Sequence, residues 1–287
     1  MDESLLSIPP PNFCTSEAEN RLINQIQSDL RSHLRSSKKK DERTITYKDV
    51  APETAQTIIK WLGQKTTTLP SGLYYNSVPR TLRFTLWPNL IRTAHQDWLH
   101  RAMSRMKETN FLTPEEHMNL VLYSGMTGFN SFSGPYKSSY RVPDQAIVPA
   151  IGTLPLPSLV LESGWGESRE ELYALRDLWL VGGSGSVKIV MLVNWTVDEE
   201  TRKVSGDIEV FGGDSLGGDV QRVQKEVIFP APSPEVAEKQ SIRVARKQLF
   251  GSSLPMNEDP DKITFIELKY LRLIAEEIIR KEGYVPA

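Results

Sequence analysis

One segment constrains the fold of this chain more than any other, the strand candidate VKIVMLVNWTV at residues 187–197. It is nearly continuously apolar, whereas a strand with one solvated face alternates apolar and polar residues. The segment follows the glycine-rich turn GGSGS and precedes two further strand candidates, KVSGDIEVF and VQRVQKEVIFP. We therefore expect it to form a central strand of a sheet that is covered on both faces.

The residues before this segment predict how the sheet is built. RVPDQAIVP and SLVLESG are short apolar runs bounded by proline and glycine, as is typical of buried strands. SREELYALRDLWLV follows as a helix, since Ser168 and Glu171 have the spacing of a capping box. The order strand, strand, helix, strand, strand predicts a mixed α/β sheet with helices packed on it. A final helix is expected from about Lys262 to Lys281.

The N-terminal third predicts mainly helices. Residues 1–15 contain a proline run and are expected to form a disordered tail. Residues 16–110 are predicted as a helical region with helices beginning after Ser16, at Pro52 and at about Asn89, and with loops and a strand after residue 67. Residues 111–287 are then the α/β core with its C-terminal helix. The N-terminal region is an extension of that core.

Charge and cysteine content exclude several classes of protein. The formal net charge is -2, so no global basic field draws the chain to nucleic acid, and any polyanion must meet a local patch. Cys14 is the only cysteine, which excludes an intramolecular disulfide framework and a cysteine-rich zinc module. Neither a signal-peptide pattern nor an apolar run of about 18 residues is present. We expect an intracellular protein, cytoplasmic or nuclear, that does not span a membrane.

Common nucleotide and hydrolase motifs are also missing. The sequence contains no P-loop, no GxSxG elbow and no GxGxxG at the start of a helix. GGDSLGGD resembles one imperfect copy of a glycine-aspartate calcium repeat, but a single copy favours a flexible hairpin turn over a calcium site.

The helix expected from Asn89 to Lys107 is the most basic stretch of the chain. It places Arg92, Arg101 and Arg105 among Trp98, Leu99 and Met103. Cations interleaved with aromatic residues are typical of a nucleic-acid groove, and Arg92, Arg101 and Arg105 are our candidates for contacts with DNA or RNA. The same pattern also describes any amphipathic helix whose apolar side is buried.

Two acids interrupt the apolar strands, Asp144 after a proline and Glu162 after Leu-Val-Leu. A buried carboxylate costs free energy unless it is paired, hydrogen-bonded or bound to a metal. Two such acids on neighbouring strands repel each other, and a divalent cation removes this repulsion. If they share a cation, their carboxyl groups should converge to within about 6 Å. In the alternative interpretation no cation is shared: Asp144 accepts a hydrogen bond within a turn, and Glu162 forms an ion pair with Arg141 or Arg176.

Pro143-Asp144, the strand carrying Glu162, and the helix and strand that follow resemble the PD-(D/E)XK, or restriction-endonuclease-like, nuclease superfamily. The likeness covers roughly residues 111–230 and is greatest to fungal and bacterial branches. It implies a mixed central sheet flanked by helices, with Asp144 and Glu162 binding Mg²⁺ or Mn²⁺. The superfamily also places a lysine two residues after the glutamate, and this sequence has Gly164 there.

The missing lysine leaves two interpretations. In the first interpretation, Arg176, on the helix after the Glu162 strand, replaces the lysine as the cation, and Lys188 is a weaker substitute. The alternative for Arg176 itself is a position at the edge of the apolar stripe, with its guanidinium in water. In the second interpretation catalysis has been lost, because arginine is a poor general base. Some members add an acid from the preceding helix, for which Glu116 is the positional candidate, although Thr113 and Glu116 also have capping-box spacing.

These observations lead to three hypotheses. The first is a nuclease that cleaves phosphodiester bonds with magnesium held by Asp144 and Glu162 and with Arg176 stabilising the charge of the phosphate. The second is a catalytically inactive module on the same fold that binds nucleic acid or protein. The third is a scaffold that binds no nucleic acid, which the near-neutral charge allows.

Overall fold

The computed structural model describes residues 16–35, 43–65, 71–86, 89–125, 127–150, 155–212, 220–254 and 258–287. The predicted disordered tail lies outside these residues, as does the glycine-aspartate stretch that follows Gly212. Among the described residues, no helix is both long and apolar enough to cross a membrane.

The helices are α1 (Glu17–Arg35), α2 (Pro52–Lys65), α3 (Ala94–Glu108), α4 (Pro114–Met118), α5 (Arg169–Leu180), α6 (Pro234–Lys239), α7 (Arg246–Phe250) and α8 (Leu268–Lys281). The strands are β1 (Arg43–Tyr47), β2 (Ser71–Asn76), β3 (Thr81–Leu86), β4 (Leu120–Tyr123), β5 (Tyr140–Arg141), β6 (Gln145–Pro149), β7 (Leu159–Trp165), β8 (Ile189–Asp198), β9 (Lys203–Gly212), β10 (Gln221–Phe229), β11 (Ser241–Ala245), β12 (Ile263–Glu267) and β13 (Val285–Pro286).

The main sheet has the strand order β10-β9-β8-β7-β6-β4, with β13 added beside β9. Strands β7 and β8 are parallel and are joined through α5, whereas the other neighbours along this path are antiparallel. The predicted mixed α/β sheet is therefore confirmed.

The central position predicted for VKIVMLVNWTV is confirmed by the way β8 distributes its side chains. Met191 and Val193 belong to the core on one side of the sheet, together with residues of α3 and α8. Val190 and Leu192 belong to the core on the other side, together with residues of α5. Alternate residues of a strand point to opposite faces, so a strand buried on both faces has to be apolar throughout.

The N-terminal region contains a second sheet, with the order β1-β3-β2-β5. The helices α1 and α2 pack on it around Ile26, Ile58, Trp61 and Phe84. The helical region predicted for residues 16–110 is thus a mixed α/β unit, because strands β1, β2 and β3 lie between its helices. Strand β5, from the chain after residue 110, completes this sheet by pairing with β2.

The predicted beginning of the last helix was also wrong. Residues Ile263–Glu267 form β12, which pairs with β11, and α8 begins only at Leu268. In β12 buried and more exposed residues alternate, and this period of two, with β-branched residues at three of its five positions, favours a strand. By contrast, the capping boxes at Ser16, Thr113 and Ser168 are all present.

Candidate functional site

Asp144 and Glu162 lie side by side where β6 and β7 pair. Asp144 immediately precedes β6, and Gln145 is paired with Leu161 across the two antiparallel strands. The backbone N–H of Asp144 donates to Oε2 of Glu162 at 3.4 Å, and the N–H of Ser163 donates to Oδ2 of Asp144 at 2.8 Å. The structure thus brings together the two acids that the sequence singles out.

Arg141, at the end of β5, lies close to both acids. Its Nε donates to Oε1 of Glu162 at 2.7 Å, and its Nη2 donates to Oε2 of the same carboxylate. That Nη2 also lies 4.0 Å from Oδ2 of Asp144. Its Nη1 donates to the carbonyl of Gly72 in β2 at 2.9 Å, which ties the guanidinium to the N-terminal sheet.

Trp179 completes the surroundings of Glu162. Its Nε1 donates to Oε1 of the carboxylate at 2.7 Å from the last turns of α5. The Glu162 side chain is fully buried, and it accepts three hydrogen bonds from Arg141 and Trp179. This is the environment that a buried carboxylate requires in the absence of water.

Asp144 begins a chain of ion pairs that leads away from Glu162. Arg92 approaches it with Nη2 at 3.4 Å and contacts Glu167 with Nη1 at 2.9 Å. Arg83 of β3 in turn contacts Glu167 at 2.9 Å and Glu171 at 3.2 Å. Arg83, Arg92 and Arg141 therefore balance the charges of the buried Glu162 and the partly buried Asp144 and Glu167, and Glu171 closes the network near the surface.

Burial and the arginines act in opposite directions on the carboxyl groups. Burial by itself would raise the pKa of Asp144, but Arg92 and Arg141 outweigh it, so this pKa lies below its ordinary value. For Glu162 burial is the largest influence and raises the pKa, against the lowering effect of Arg141. Burial is the largest single influence on the pKa of Arg141 and lowers it, but the adjacent Glu162 and Asp144 together outweigh burial, so this pKa is raised. The arginine stays protonated throughout.

His95 lies against the same network but is held neutral. It is fully buried in α3, with the backbone of Arg92 and that of Asp144 beside its ring. Burial lowers its pKa from 6.5 to about 4, although the adjacent Asp144 acts in the opposite direction. His95 is therefore uncharged near neutral pH.

The side chains do not offer a magnesium site in this arrangement. Magnesium requires oxygen ligands in near-octahedral geometry, usually with several waters. Both oxygens of Glu162 instead accept hydrogen bonds from Arg141, and the guanidinium lies where a shared cation would have to bind. Within the described part of the chain, no group of three or more histidine, cysteine or acidic side chains is arranged to hold a metal ion.

Arg176 does not take the position expected for the missing lysine. Its guanidinium lies 4.5 Å from the ring centre of Tyr173 and 4.9 Å from that of Phe211, and its Nε is paired with Asp177 at 2.8 Å. Helix α5 presents Trp179 to Glu162, so the side chain from this helix that reaches the acid is an indole. The alternative partner considered for Glu162, Arg141, is the one that the structure shows.

Gly164 and Lys188 do not supply the missing cation either. A Cβ atom added at Gly164 would lie 3.1 Å from Oε2 of Glu167 and 3.2 Å from Leu172, so a longer side chain would have to displace its neighbours. Lys188 hydrogen-bonds through its backbone N–H to the carbonyl of Ser158, which immediately precedes β7. It therefore lies at the first end of β7, whereas Gly164 lies near the last residue of that strand.

Glu116 caps its own helix. Its side chain accepts from the N–H of Thr113 at 2.8 Å, and its N–H donates to the Thr113 hydroxyl at 3.1 Å. Its Oε1 lies 3.5 Å from Arg246. The capping interpretation of this residue is confirmed.

The three arginines expected on a nucleic-acid surface do not share one. Arg92 is buried in the ion-pair network described above. Arg101 and Arg105 line a groove between α3 and α8. Arg101 lies 5.4 Å from the ring centre of Tyr270, and Arg105 is paired with Glu267 at 2.8 Å. Arg101 and Arg105 therefore share a groove without Arg92, and Asp97, Glu108 and Glu277 also line that groove.

Comparison of the chain with protein-family models, curated proteins and solved structures gave no match.

Sequence reasoning missed several members of the network. Glu167, Arg83, Trp179 and His95 were not candidates. A local signal existed for Trp179, which lies on the apolar stripe of α5. For Arg83 no local signal exists, because it reaches Glu167 across 84 residues of sequence.

Proposed function

We propose that this chain is a catalytically inactive binding module whose core resembles the PD-(D/E)XK nucleases. The observation that carries the proposal is the buried two-point contact of Arg141 with Glu162, which places a protein cation where the resemblance expects magnesium. In this proposal Asp144 and Glu162 connect the two sheets, and the protein binds a macromolecule without cleaving nucleic acid.

The chemistry of the neighbouring groups supports this interpretation. A metal-activated water needs carboxylate oxygens free to hold the metal, and both oxygens of Glu162 are engaged. Arginine remains protonated and is a poor general base, so Arg141 does not replace the lysine that the superfamily uses. Gly164 carries no side chain at that position.

The strand order supports the finer part of the fold proposal. Asp144 immediately precedes β6, Glu162 lies in the antiparallel neighbour β7, and α5 then leads to β8, which is parallel to β7. This is the order of elements on which the resemblance rests. An intracellular location, in cytoplasm or nucleus, belongs to the same proposal.

A cleavage assay tests the proposal directly. Labelled single-stranded DNA, duplex DNA and RNA are incubated with the full chain in Mg²⁺ or Mn²⁺, and the same substrates are incubated with the Asp144→Asn and Glu162→Gln variants. We expect no metal-dependent cleavage by the wild type beyond that of either variant. Cleavage that requires metal and disappears in both variants would overturn the proposal.

A magnesium-dependent nuclease is the second candidate, and one observation favours it. The same nitrogen of Arg141 contacts Glu162 and lies 4.0 Å from Asp144, so the two carboxylates do converge as a metal pair would. In that case Asp144 and Glu162 would hold Mg²⁺ or Mn²⁺ only after Arg141 had moved away. The cleavage assay separates the two candidates, because only the nuclease loses a metal-dependent activity on substitution of either acid.

A further inference from the structure

A slot runs between the free edge of β12 and helix α3. The cavity has a volume of about 400 Å³, which lies within the range of about 300–1,000 Å³ typical of ligand pockets. All five residues of β12 line one side of it, and Trp98, Arg101, Arg105 and Met106 belong to the α3 side. The slot lies apart from the network around Asp144 and Glu162.

The register of the β11–β12 pair shows which backbone groups face this slot. The N–H of Arg246 donates to the carbonyl of Lys262, and the N–H of Leu268 donates to the carbonyl of Gln240. Hydrogen-bonded and non-bonded pairs alternate along an antiparallel ladder. In β12, Thr264 and Ile266 therefore bond to β11. Ile263, Phe265 and Glu267 turn their N–H and C=O groups away from it.

Neighbouring contacts agree with this register. Trp98 donates through Nε1 to the outward carbonyl of Glu267 at 2.9 Å, from the α3 side of the strand. On the far side of β11, Arg243 N–H and Ser241 C=O are both bonded to the Gln224 side chain, at 3.2 and 2.7 Å. The outer edge of β11 is thus covered at these two residues. On β12, Trp98 closes the edge at Glu267.

The open part of the edge is a template for another strand. No partner for the outward N–H and C=O groups of Ile263 and Phe265 is found among the described residues. An unpaired edge of this kind invites strand addition, in which main-chain hydrogen bonds supply affinity. The Phe265 side chain stands beside it and is 60% exposed, which is unusual for a large apolar residue.

The charges along the slot select for acidic groups. Arg101, Arg105 and Lys262 line it, with Glu267 as the one acid in its lining. Arg105 is paired with Glu267, and Lys262 donates to the carbonyl of Asn110 at 3.0 Å. Arg101 stacks over Tyr270 and forms no ion pair with any described residue. An incoming carboxylate would therefore find its strongest partner in Arg101.

We propose that this slot binds an extended, acidic peptide segment of a protein partner by adding it as a strand to β12. The peptide main chain pairs with Ile263 and Phe265, an apolar side chain packs on Phe265, and an acidic side chain pairs with Arg101. The proposal rests on the proposed binding function and gives the class of partner. Its test uses neither metal nor nucleic-acid cleavage, so the proposed function and the proposed peptide binding can fail separately.

Fluorescence anisotropy of a labelled peptide with the sequence Glu-Val-Glu-Val-Glu tests the slot, and Lys-Val-Lys-Val-Lys serves as the comparison peptide. We expect saturable binding of the acidic peptide, and binding at least about tenfold weaker in Arg101→Glu, since reversing one close charge costs an ion pair and adds repulsion. Phe265→Pro should weaken it similarly, because it removes an outward N–H that β11 does not use. Circular dichroism verifies that this variant folds.

Lys137→Glu makes the same charge change at an exposed residue that does not line the slot, and it should leave binding unchanged. Three outcomes would overturn the proposal: no saturable binding of the acidic peptide, equal binding of the lysine peptide, or equal weakening by Lys137→Glu. Tighter binding of a labelled single-stranded oligonucleotide, lost in Arg101→Glu, would assign the slot to nucleic acid instead.

Discussion

Arg141 and Glu162 form a buried ion pair that joins the two sheets of the protein. The guanidinium belongs to β5 of the N-terminal sheet and the carboxylate to β7 of the main sheet, and two nitrogens of the arginine contact the two carboxylate oxygens. Neither side chain is more than 3% exposed. A pair in this position fixes how the two sheets meet, and removing either partner leaves a charge without water.

Arg141→Met should destabilise the protein by about 3–5 kcal/mol, because it leaves the buried Glu162 carboxylate without its paired cation. The double variant Arg141→Met/Glu162→Leu should lose clearly less stability than the two single variants lose in sum, since the second substitution removes the unpaired carboxylate. Urea unfolding near neutral pH measures both values. Arg21→Met, which breaks the exposed pair with Glu17, should cost less than about 1 kcal/mol. Additive losses at 141 and 162 would contradict the coupling.

Trp179→Phe should isolate the contribution of the indole N–H to Glu162. Trp195 provides a matched control, because it is also fully buried and its Nε1 has no partner among the described residues. Both substitutions remove the same ring volume, but only Trp179 loses a hydrogen bond to a carboxylate. We expect Trp179→Phe to cost about 1.5–3 kcal/mol more than Trp195→Phe in urea unfolding. Equal losses would show that the bond does not stabilise the fold.

The sequence was sufficient to predict those elements that depend on residues close to one another along the chain. The capping pairs at Ser168 and Thr113 connect residues three apart, and the apolar run of β8 reflects burial on both faces. The strand order around Asp144 and Glu162 follows from such elements. These parts of the fold were therefore predictable from composition and period.

The partners of the two acids were not predictable in the same way. The contact of Arg83 with Glu167 and that of Arg92 with Asp144 span 84 and 52 residues. The first depends on how the N-terminal sheet packs against the core and the second on how the turn before α3 packs against the main sheet, and no periodicity in the sequence encodes either packing. Strand β12 was missed because its five residues run directly into α8 and were absorbed into the helical pattern.

Divalent metal should leave the stability of the protein unchanged. A ligand at 100 times its dissociation constant would stabilise the fold by about 2.7 kcal/mol if it bound only the folded state. Because Arg141 occupies the place between the two acids, we expect no rise in melting temperature on adding millimolar Mg²⁺ or Mn²⁺. Potassium chloride at the same ionic strength serves as the control. A metal-dependent rise that Glu162→Gln abolishes would support the nuclease instead.

His95 should make stability fall as the solution becomes moderately acidic. Its pKa is about 4 in the folded protein against 6.5 ordinarily, because burial outweighs the effect of Asp144, while Arg92 also lowers it. Between these values the unfolded chain binds a proton that the folded protein does not bind, so stability is complete above pH 6.5 and decreases toward pH 4. The total loss in the free energy of unfolding between pH 6.5 and pH 4 amounts to about 3 kcal/mol.

The His95→Phe variant removes this titration and should flatten the pH dependence over that interval, whatever its effect on stability near neutral pH. Urea unfolding at several pH values between about 4.5 and 7.5 measures the slope. His100→Gln, on the exposed side of α3, serves as the control variant. The lowered pKa of Asp144 places the loss of its ion pairs below its ordinary pKa of 3.8, outside the measured interval. An unchanged slope in His95→Phe would assign the pH dependence to other groups.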